Sequence, residues 1–380
     1  MKVEVRKVTN QHEMDDFVHL PRMIYHGVAQ YVPDLESDIA DFFRRESNPG
    51  LEFSDVQAFV AYRNDVPIGR IVGIVNRKAN ERWQQRVVRF GLIEFIDDMD
   101  VSRALLEAVG QWGQALGMDT LQGPMGITDF DKEGMLVEDF HLVGTITTIW
   151  NPEYYPRHLE ALGFEKAVDW VHIRIQIPQE TPLRYSRTAQ YVREQVGLRV
   201  VKVSNSDISK GGYGQRLFQL LNQAYEPIFG FSSLSEKQME YFIDQYLKVV
   251  DLNLVPIVLN EKDEMVGVAV TMGSMSKAMQ KAHGRLWPLG WYHLLKALKW
   301  KHADCAEMLL IGVRPDYQGM GVNALFFDDL IPIYNQYGFK WAETGPQLED
   351  NVRELSQWKP LQPEFVKRRR CYRKELRNAS

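Results

Sequence analysis

The sequence predicts an α/β chain of the α+β kind, built from two similar halves in tandem. Three observations carry this. First, Leu198-Arg-Val-Val-Lys-Val-Ser-Asn205 echoes Val3-Glu-Val-Arg-Lys-Val-Thr-Asn10. Second, a pair of apolar runs around a polar turn follows in each half, at 56–75 and again at 254–272. Third, an apolar run followed by a helical pattern occurs at 87–116 and at 309–337. The repeat length is about 190 residues, long enough for one domain per copy. With 380 residues, 45% hydrophobic and 25% charged, the composition is globular and the length suits two or three domains.

Each element follows from local pattern. Val3, Val5 and Val8 open a first strand. Residues 12–30 are helical, with His12, Phe17, Leu20, Met23 and Ile24 on one face. Tyr31 to Gly50 holds Pro33, several acids and Arg44-Arg45, so it is a solvated connection with a short helix. Val56–Tyr62 and Ile68–Val75 form a hairpin around Arg63-Asn64-Asp65, a turn-type pair between β-branched runs. Val87–Phe95 is a strand. Asp97 to Leu116 is a helix whose apolar face carries Val101, Leu105, Val109, Trp112 and Leu116. Thr120–Gln122 is a short strand ended by Gly123-Pro124. Asn151-Pro152 begins a helix that closes at Gly163-Phe164, and Val168–Ile177 alternates as a last strand. The polar, proline-containing stretch 178–187 is the best linker, and a helix runs on to Val196. The pattern then restarts. Leu254–Leu259 and Met265–Met272 flank Glu261-Lys262-Asp263, and Gly338-Phe339…Gly345-Pro346 matches Gly117-Met118…Gly123-Pro124. The expected division is 1–180, a linker helix at 181–197, and 198–380.

Glu307 to Phe339 is the stretch most suited to ligand chemistry. Met308-Leu309-Leu310-Ile311-Gly312-Val313 is a buried strand stopped by Pro315. Gln318, Gly319, Met320 and Gly321 follow. A helix then begins at Val322-Asn323-Ala324 and carries Leu325, Phe326, Leu330, Ile333 and Tyr337 at helical spacing. A strand, a glycine turn and a helix in that order make an anion site, because the first helical N–H groups lack internal partners. Glycines let a diphosphate approach the main chain closely. Pro332 should kink or divide the helix.

These residues resemble the acyl-CoA segment of the GNAT superfamily of N-acyltransferases. The matching residues are Val313-Arg314-Pro315, then Gln318-Gly319-Met320-Gly321-Val322-Asn323, and the closing Gly338-Phe339. Asn323 stands where the family has Gly or Ala, and either crowds the diphosphate or adds a donor. The resemblance implies two GNAT-like domains, each a mixed, mostly antiparallel sheet flanked by helices. It implies acetyl-CoA or a longer acyl-CoA as co-substrate and no metal. The backbone of Leu310, Ile311, Gly312 and Val313 would bond the pantetheine, with Gly312 as the bulge residue, and the loop from Gln318 through Ala324 would hold the diphosphate. In the first half the corresponding loop, Ile96-Asp97-Asp98-Met99-Asp100, is acidic and lacks glycine, so it repels a diphosphate. That half either shapes an acceptor pocket or packs.

Acyl transfer needs the oxyanion stabilised, the amine deprotonated and the thiolate reprotonated. By the family pattern Asn351 takes the position of the Asn that follows the next strand. The Tyr seven residues on, which would be the acid, is replaced by Trp358; Tyr372, Tyr334 or water would substitute. Glu343 is the first candidate base, then Glu349 and Asp350. Asp129, Asp131 and Glu133 alternate after Gly123-Pro124 and either hold a cationic amine or line a solvated loop. Tyr154 and Tyr155 face a cleft or pack in the core. His141, His158 and His172 are isolated and read as structural. Lys367-Arg368-Arg369-Arg370 reads as a solvated strand edge.

One departure from the repeat is an insertion at 273–306. Trp287, Trp291, Leu294, Leu295 and Leu298 fall on one helical face. His293, Lys296 and Lys299 lie on another, flanked by Arg285, Lys301 and His302. This is either a packing helix or an interfacial one, giving a peripheral membrane contact through 285–301. The net charge of −5 argues against nucleic acid as a partner. Cys305 and Cys371 make no disulfide framework. The charged, alternating start is unlike a signal peptide, and no apolar run approaches a membrane span. A reduced, cytoplasmic location is expected, peripheral at the inner membrane if the insertion is interfacial. The expected function is acyl transfer from acyl-CoA or acyl carrier protein to a small-molecule or lipid amine. The combination of tandem halves and an amphipathic insertion resembles a bacterial group associated with ceramide-synthase-like enzymes. An acyl-CoA sensor or scaffold is the alternative.

Overall fold

The computed structural model describes residues 2–247, 250–300 and 303–376. Its strands are β1 (Glu4–Lys7), β2 (Ser54–Arg63), β3 (Val66–Asn76), β4 (Val87–Phe95), β5 (Thr120–Gly123), β6 (Met135–Leu136), β7 (Glu165–Gln176), β8 (Arg199–Val201), β9 (Ile257–Leu259), β10 (Met265–Gly273), β11 (Cys305–Val313), β12 (Trp341–Thr344), β13 (Gln347–Leu348) and β14 (Glu364–Glu375). They divide between two compact units. One is Met1–Val171, Ser276–Trp291 and Lys367–Ser380; the other is His172–Met275 and Tyr292–Val366.

In the first unit β1, β2, β3 and β4 pair antiparallel in order, and β5 joins β4 in parallel. The β2–β3 hairpin turns on Asn64 and Asp65, both left-handed at φ 52° and 59°, which matches the right-handed twist of the strands. The helix Met99–Ala115 buries Val101, Leu105, Leu106 and Val109. It lies so close to β3 that a Cβ on Gly73 would sit 2.8 Å from the Trp112 ring.

The second unit repeats the plan. β8, β9, β10 and β11 are antiparallel neighbours in order, and β12 joins β11 in parallel. The helix Val322–Tyr337 buries Leu325, Phe326, Leu330 and Ile331. Pro332 does not divide it; apolar packing on both sides outweighs the one backbone bond that proline removes.

The repeat's last strands are exchanged. β5 of the first unit pairs antiparallel with β14, through Tyr372↔Gly123 and Lys374↔Leu121. β12 of the second unit pairs antiparallel with the end of β7, through Trp341↔Gln176 and Glu343↔Arg174. β5 and β12 are thus each flanked by the closing strand of the other repeat. This departs from the boundary expected at 181–197, which would leave β7 wholly with the first half and β14 wholly with the second.

Two further expectations are corrected. Lys367–Arg370 is no solvated edge: Lys367 and Arg369 are buried, and Arg370 and Arg368 both reach the buried Asp169, at 2.8 and 3.3 Å. Arg369 donates to Thr148 Oγ1 at 2.8 Å. The insertion is not one helix but two, Ser276–Ala282 and Gly290–Lys299, so Trp287 lies on the turn between them. Lys301 and His302 lie outside the described residues.

Candidate functional site

In the second unit β11 and β12 run together from Cys305↔Trp341 to Met308↔Thr344 and then part. The fork closes with the Gly345 amide donating to the Met308 carbonyl at 2.8 Å. At the same place β11 carries a bulge. Val270 opposes Leu310 while Thr271 opposes Met308, so Leu309 is the extra residue. An extra residue bends a strand and ends its pairing on one side. The bulge is therefore not at Gly312, which stays in register with Val268. Gly312 has a packing role instead: a Cβ there would meet Leu221 Cδ2 at 2.8 Å and Leu220 Cδ2 at 3.0 Å. From Leu309 to Val313 the strand no longer pairs with β12. The Tyr225 hydroxyl donates to the Ile311 carbonyl at 3.1 Å.

The strand leads into the glycine loop. Gly319 and Gly321 are left-handed, at φ 83° and 87°, a conformation that side chains disfavour. Gly321 caps the helix without any side-chain hydrogen bond. Among the described residues, the amides of Gly319, Gly321, Val322 and Asn323 donate to no group of the chain. Gln318 Nε2 donates to the Val313 carbonyl at 3.1 Å, and Arg353 Nη1 donates to Gln318 Oε1 at 3.4 Å. A guanidinium thus stands beside the row of open amides. Asn323 does not crowd the loop, because its amide turns to Gln357.

The first unit has the same fork with different occupants. β4 and β5 pair only from Val87↔Thr120 to Arg89↔Gln122, and β4 is irregular at Leu92, at φ 42°. Here the far end of β4 is taken. The Phe95 amide donates to the Tyr155 hydroxyl at 2.9 Å, and the Tyr154 hydroxyl donates to the Phe95 carbonyl at 2.6 Å. The start of the following helix is taken as well. Asp98 caps it through the Asp100 amide, 2.9 Å, and pairs with Arg63 at 2.7 Å. A carboxylate thus occupies the helix start that is left open in the second unit, and the Arg63 contact holds its pKa below the usual carboxylate range. His158 bridges Asp97 and Ser102, at 2.9 and 3.0 Å.

Behind the Tyr155 plug lies a buried array. Glu94 accepts from Tyr155 at 3.0 Å and from Tyr25, with Arg70 3.8 Å away. Burial pushes the Glu94 carboxyl up to about 7, against the opposing pull of Arg70 and the two hydroxyls. Asp129, Asp131 and Glu133 also differ from a solvated loop. Both Asp129 oxygens and one of Glu133 are covered without a hydrogen-bond partner, while Asp131 accepts from the Thr128 amide at 2.8 Å. Burial pushes Asp129 up to about 7 and raises Glu133 and Asp131 as well.

The residues expected to act in catalysis are not all brought together. Glu343 is buried on β12, one residue before the fork closes, paired to Arg174 at 3.0 Å and 3.5 Å from His172 Nδ1. His172 Nδ1 donates to the Thr344 carbonyl at 2.9 Å, so this histidine, isolated in sequence, stands beside the candidate base. Asn351 is exposed and caps a short helix through the Glu354 amide, 3.2 Å. Trp358 is a core residue edge-on to Phe327. Tyr334 is fully buried, and burial raises its hydroxyl pKa. Tyr372 belongs to the first unit, donates to Glu160 at 2.9 Å, and is likewise raised by burial. Tyr225 and Arg353 were missed. Neither falls in a motif: Tyr225 caps the helix Tyr213–Ala224, and Arg353 lies in the short helix Val352–Ser356 beyond β13.

Two forked strand pairs, each with a turn and a helix at the fork, define a tandem GNAT fold. Solved structures of that class superpose over the whole chain. A tandem GNAT protein from the clavulanic acid biosynthesis pathway matches with a TM-score of 0.58 at 12% identity, covering all of both chains. A GCN5-related N-acetyltransferase from Sphaerobacter thermophilus gives 0.52 at 13% identity, over 100% of this chain and 97% of that one. By sequence the chain is similar to protein YghO of Escherichia coli K12, 25% identical over 98% of this chain and 95% of that protein. It is also similar to a bacterial ceramide synthase of Caulobacter vibrioides, 26% identical over 80% and 79%. No protein-family model matches.

Proposed function

We propose that the chain is an N-acyltransferase taking its acyl group from acyl-CoA, bound by the second unit alone. One observation carries the reading. Of two repeated strand–turn–helix sites, one presents open amides on left-handed glycines, and the other is filled by Asp98 and two tyrosines. The diphosphate would lie on the amides of Gly319, Gly321, Val322 and Asn323, with Arg353 as counter-charge. The pantetheine would run along the unpaired edge of β11. The amine nitrogen attacks the thioester carbonyl carbon, the C–N bond forms, and collapse breaks the C–S bond. The amine loses one proton to a base and the departing thiolate takes one from an acid. Glu343, with His172 beside it, is the candidate base; Tyr225, whose hydroxyl bonds the Ile311 carbonyl of β11, replaces Tyr372 as candidate acid. Similarity to the Caulobacter enzyme supports a long-chain amine as acceptor and a long acyl chain as donor.

A non-catalytic acyl-CoA sensor is the second reading, favoured by the buried Trp358 where the family places its acid. Both are tested by thermal melting with CoA, acetyl-CoA and palmitoyl-CoA, then by mass spectrometry of palmitoyl-CoA with a long-chain amino alcohol. A ligand at about 100 times its dissociation constant adds ~2.7 kcal/mol of stability. The expected result is a raised Tm in wild type that Met320→Glu abolishes, since Met320 is exposed on the loop and a carboxylate there opposes the diphosphate. Amide product establishes the enzyme. Binding without product favours the sensor, and no shift with any thioester removes the CoA site.

A further inference from the structure

From Met265 to Ala303 the sequence contains no Asp or Glu, yet it carries Lys277, Lys281, Arg285, Lys296, Lys299 and Lys301. This cationic run lies in a chain of net charge −5. It coincides with exposed apolar surface. Among the described residues Trp287 is 78% exposed, Leu289 62%, Trp300 65% and Trp291 45%, with Leu286 and Tyr292 also open. The helix Gly290–Lys299 buries no side chain but the glycine at its start. Lys277, Lys281, Lys296 and Lys299 form no ion pair among the described residues.

The exposed turn is not loosely attached. Within the first unit, Ser276 Oγ donates to the Gly144 carbonyl at 2.9 Å, and Gln280 Nε2 donates to the carbonyls of Ala29 and Tyr31 at 2.8 and 3.0 Å. The Glu36 amide donates to the Gly284 carbonyl at 2.9 Å. Gly284 is left-handed, and a Cβ there would stand 2.6 Å from the Asp34 carbonyl oxygen. Arg285 is tied to Glu36 at 3.4 Å. The turn after it, Leu286 to Leu289, is therefore held at a fixed root with its apolar side chains outward.

We propose that Leu286–Trp300 is a docking surface for an anionic lipid bilayer. Indole and leucine side chains on a fixed turn partition into the headgroup boundary, and unpaired lysines nearby meet lipid phosphates. A bilayer fits better than an acidic protein, because the apolar groups stand on a projecting turn and the start of a helix instead of lining a groove. The inference does not depend on the acyltransferase reading, and its test measures no turnover.

The test is sedimentation of the full chain with vesicles of phosphatidylcholine alone, or with about 30% phosphatidylglycerol, at low and high salt. Wild type is expected to pellet with the anionic vesicles, with a blue shift in tryptophan fluorescence, and to release as salt rises. The double variants Trp287→Ala/Leu289→Ala and Lys296→Gln/Lys299→Gln should each bind about tenfold more weakly. These residues are exposed, so folding is checked by an unchanged Tm. Absence of binding to anionic vesicles overturns the proposal. So does binding that both variants retain, or capture of an acidic acyl carrier protein in place of vesicles.

Discussion

Glu94 sits in the first unit between two tyrosine hydroxyls and a distant guanidinium, and that setting makes stability depend on pH. Its native pKa is pushed up to about 7, whereas the unfolded chain has an ordinary glutamate at 4.5. Between those values the native state holds a proton that the unfolded state has lost. Stability is therefore complete below about pH 4.5 and falls as pH rises through 7, by no more than ~3 kcal/mol from this group. Asp129, also raised to about 7, acts in the same direction. Thermal melts should give a higher Tm at pH 5.5 than at pH 8, and Glu94→Gln should flatten the difference. A Tm that rises with pH to the same extent in both proteins would refute this assignment.

At the scale of elements, the strand–loop–helix of the second unit was legible because everything it needs is local. Val313-Arg314-Pro315, the two glycines and the helical spacing after them are consecutive in sequence, and the left-handed loop follows from residue types alone. The aspartates of the first unit's loop were legible for the same reason, although Asp98 acts as a helix cap as well as a repelling charge. The bulge was not. Gly312 has the residue type that bulges favour, but the bulge falls on Leu309 because only one register satisfies β10 on one side and the fork on the other. Tyr225 and Arg353 were hidden because the fold, and no motif, brings them to the loop and strand. The packing role assigned to Gly312 can be measured. Gly312→Ala should cost ~1–3 kcal/mol through overpacking against Leu220 and Leu221, several degrees in Tm. An unchanged Tm would mean that the helix above can yield.

For the whole molecule, the duplication was legible and the exchange of closing strands was not. β7 alternates and β14 carries the basic run Lys367–Arg370, and a strand's residue pattern states which face is buried without naming its neighbour. The pairings of Tyr372 with Gly123 and of Trp341 with Gln176 decide it. Residues 1–180 and 181–380, expressed separately, should each lack a sheet strand and melt without cooperativity, and when expressed together they should associate and recover one sharp transition. Cooperative melting of either fragment alone would show that its own closing strand can substitute.

The exchange also sets an order of events during synthesis. The edge of β5 that receives β14 is made roughly 240 residues before 367–375 emerge, the spacing from Gly123 to Lys367. At about 5–20 residues per second, that edge waits on the order of tens of seconds. Through that interval the nascent chain presents an unpaired strand edge beside a half-built core, the kind of surface that recruits chaperones or, in their absence, aggregates.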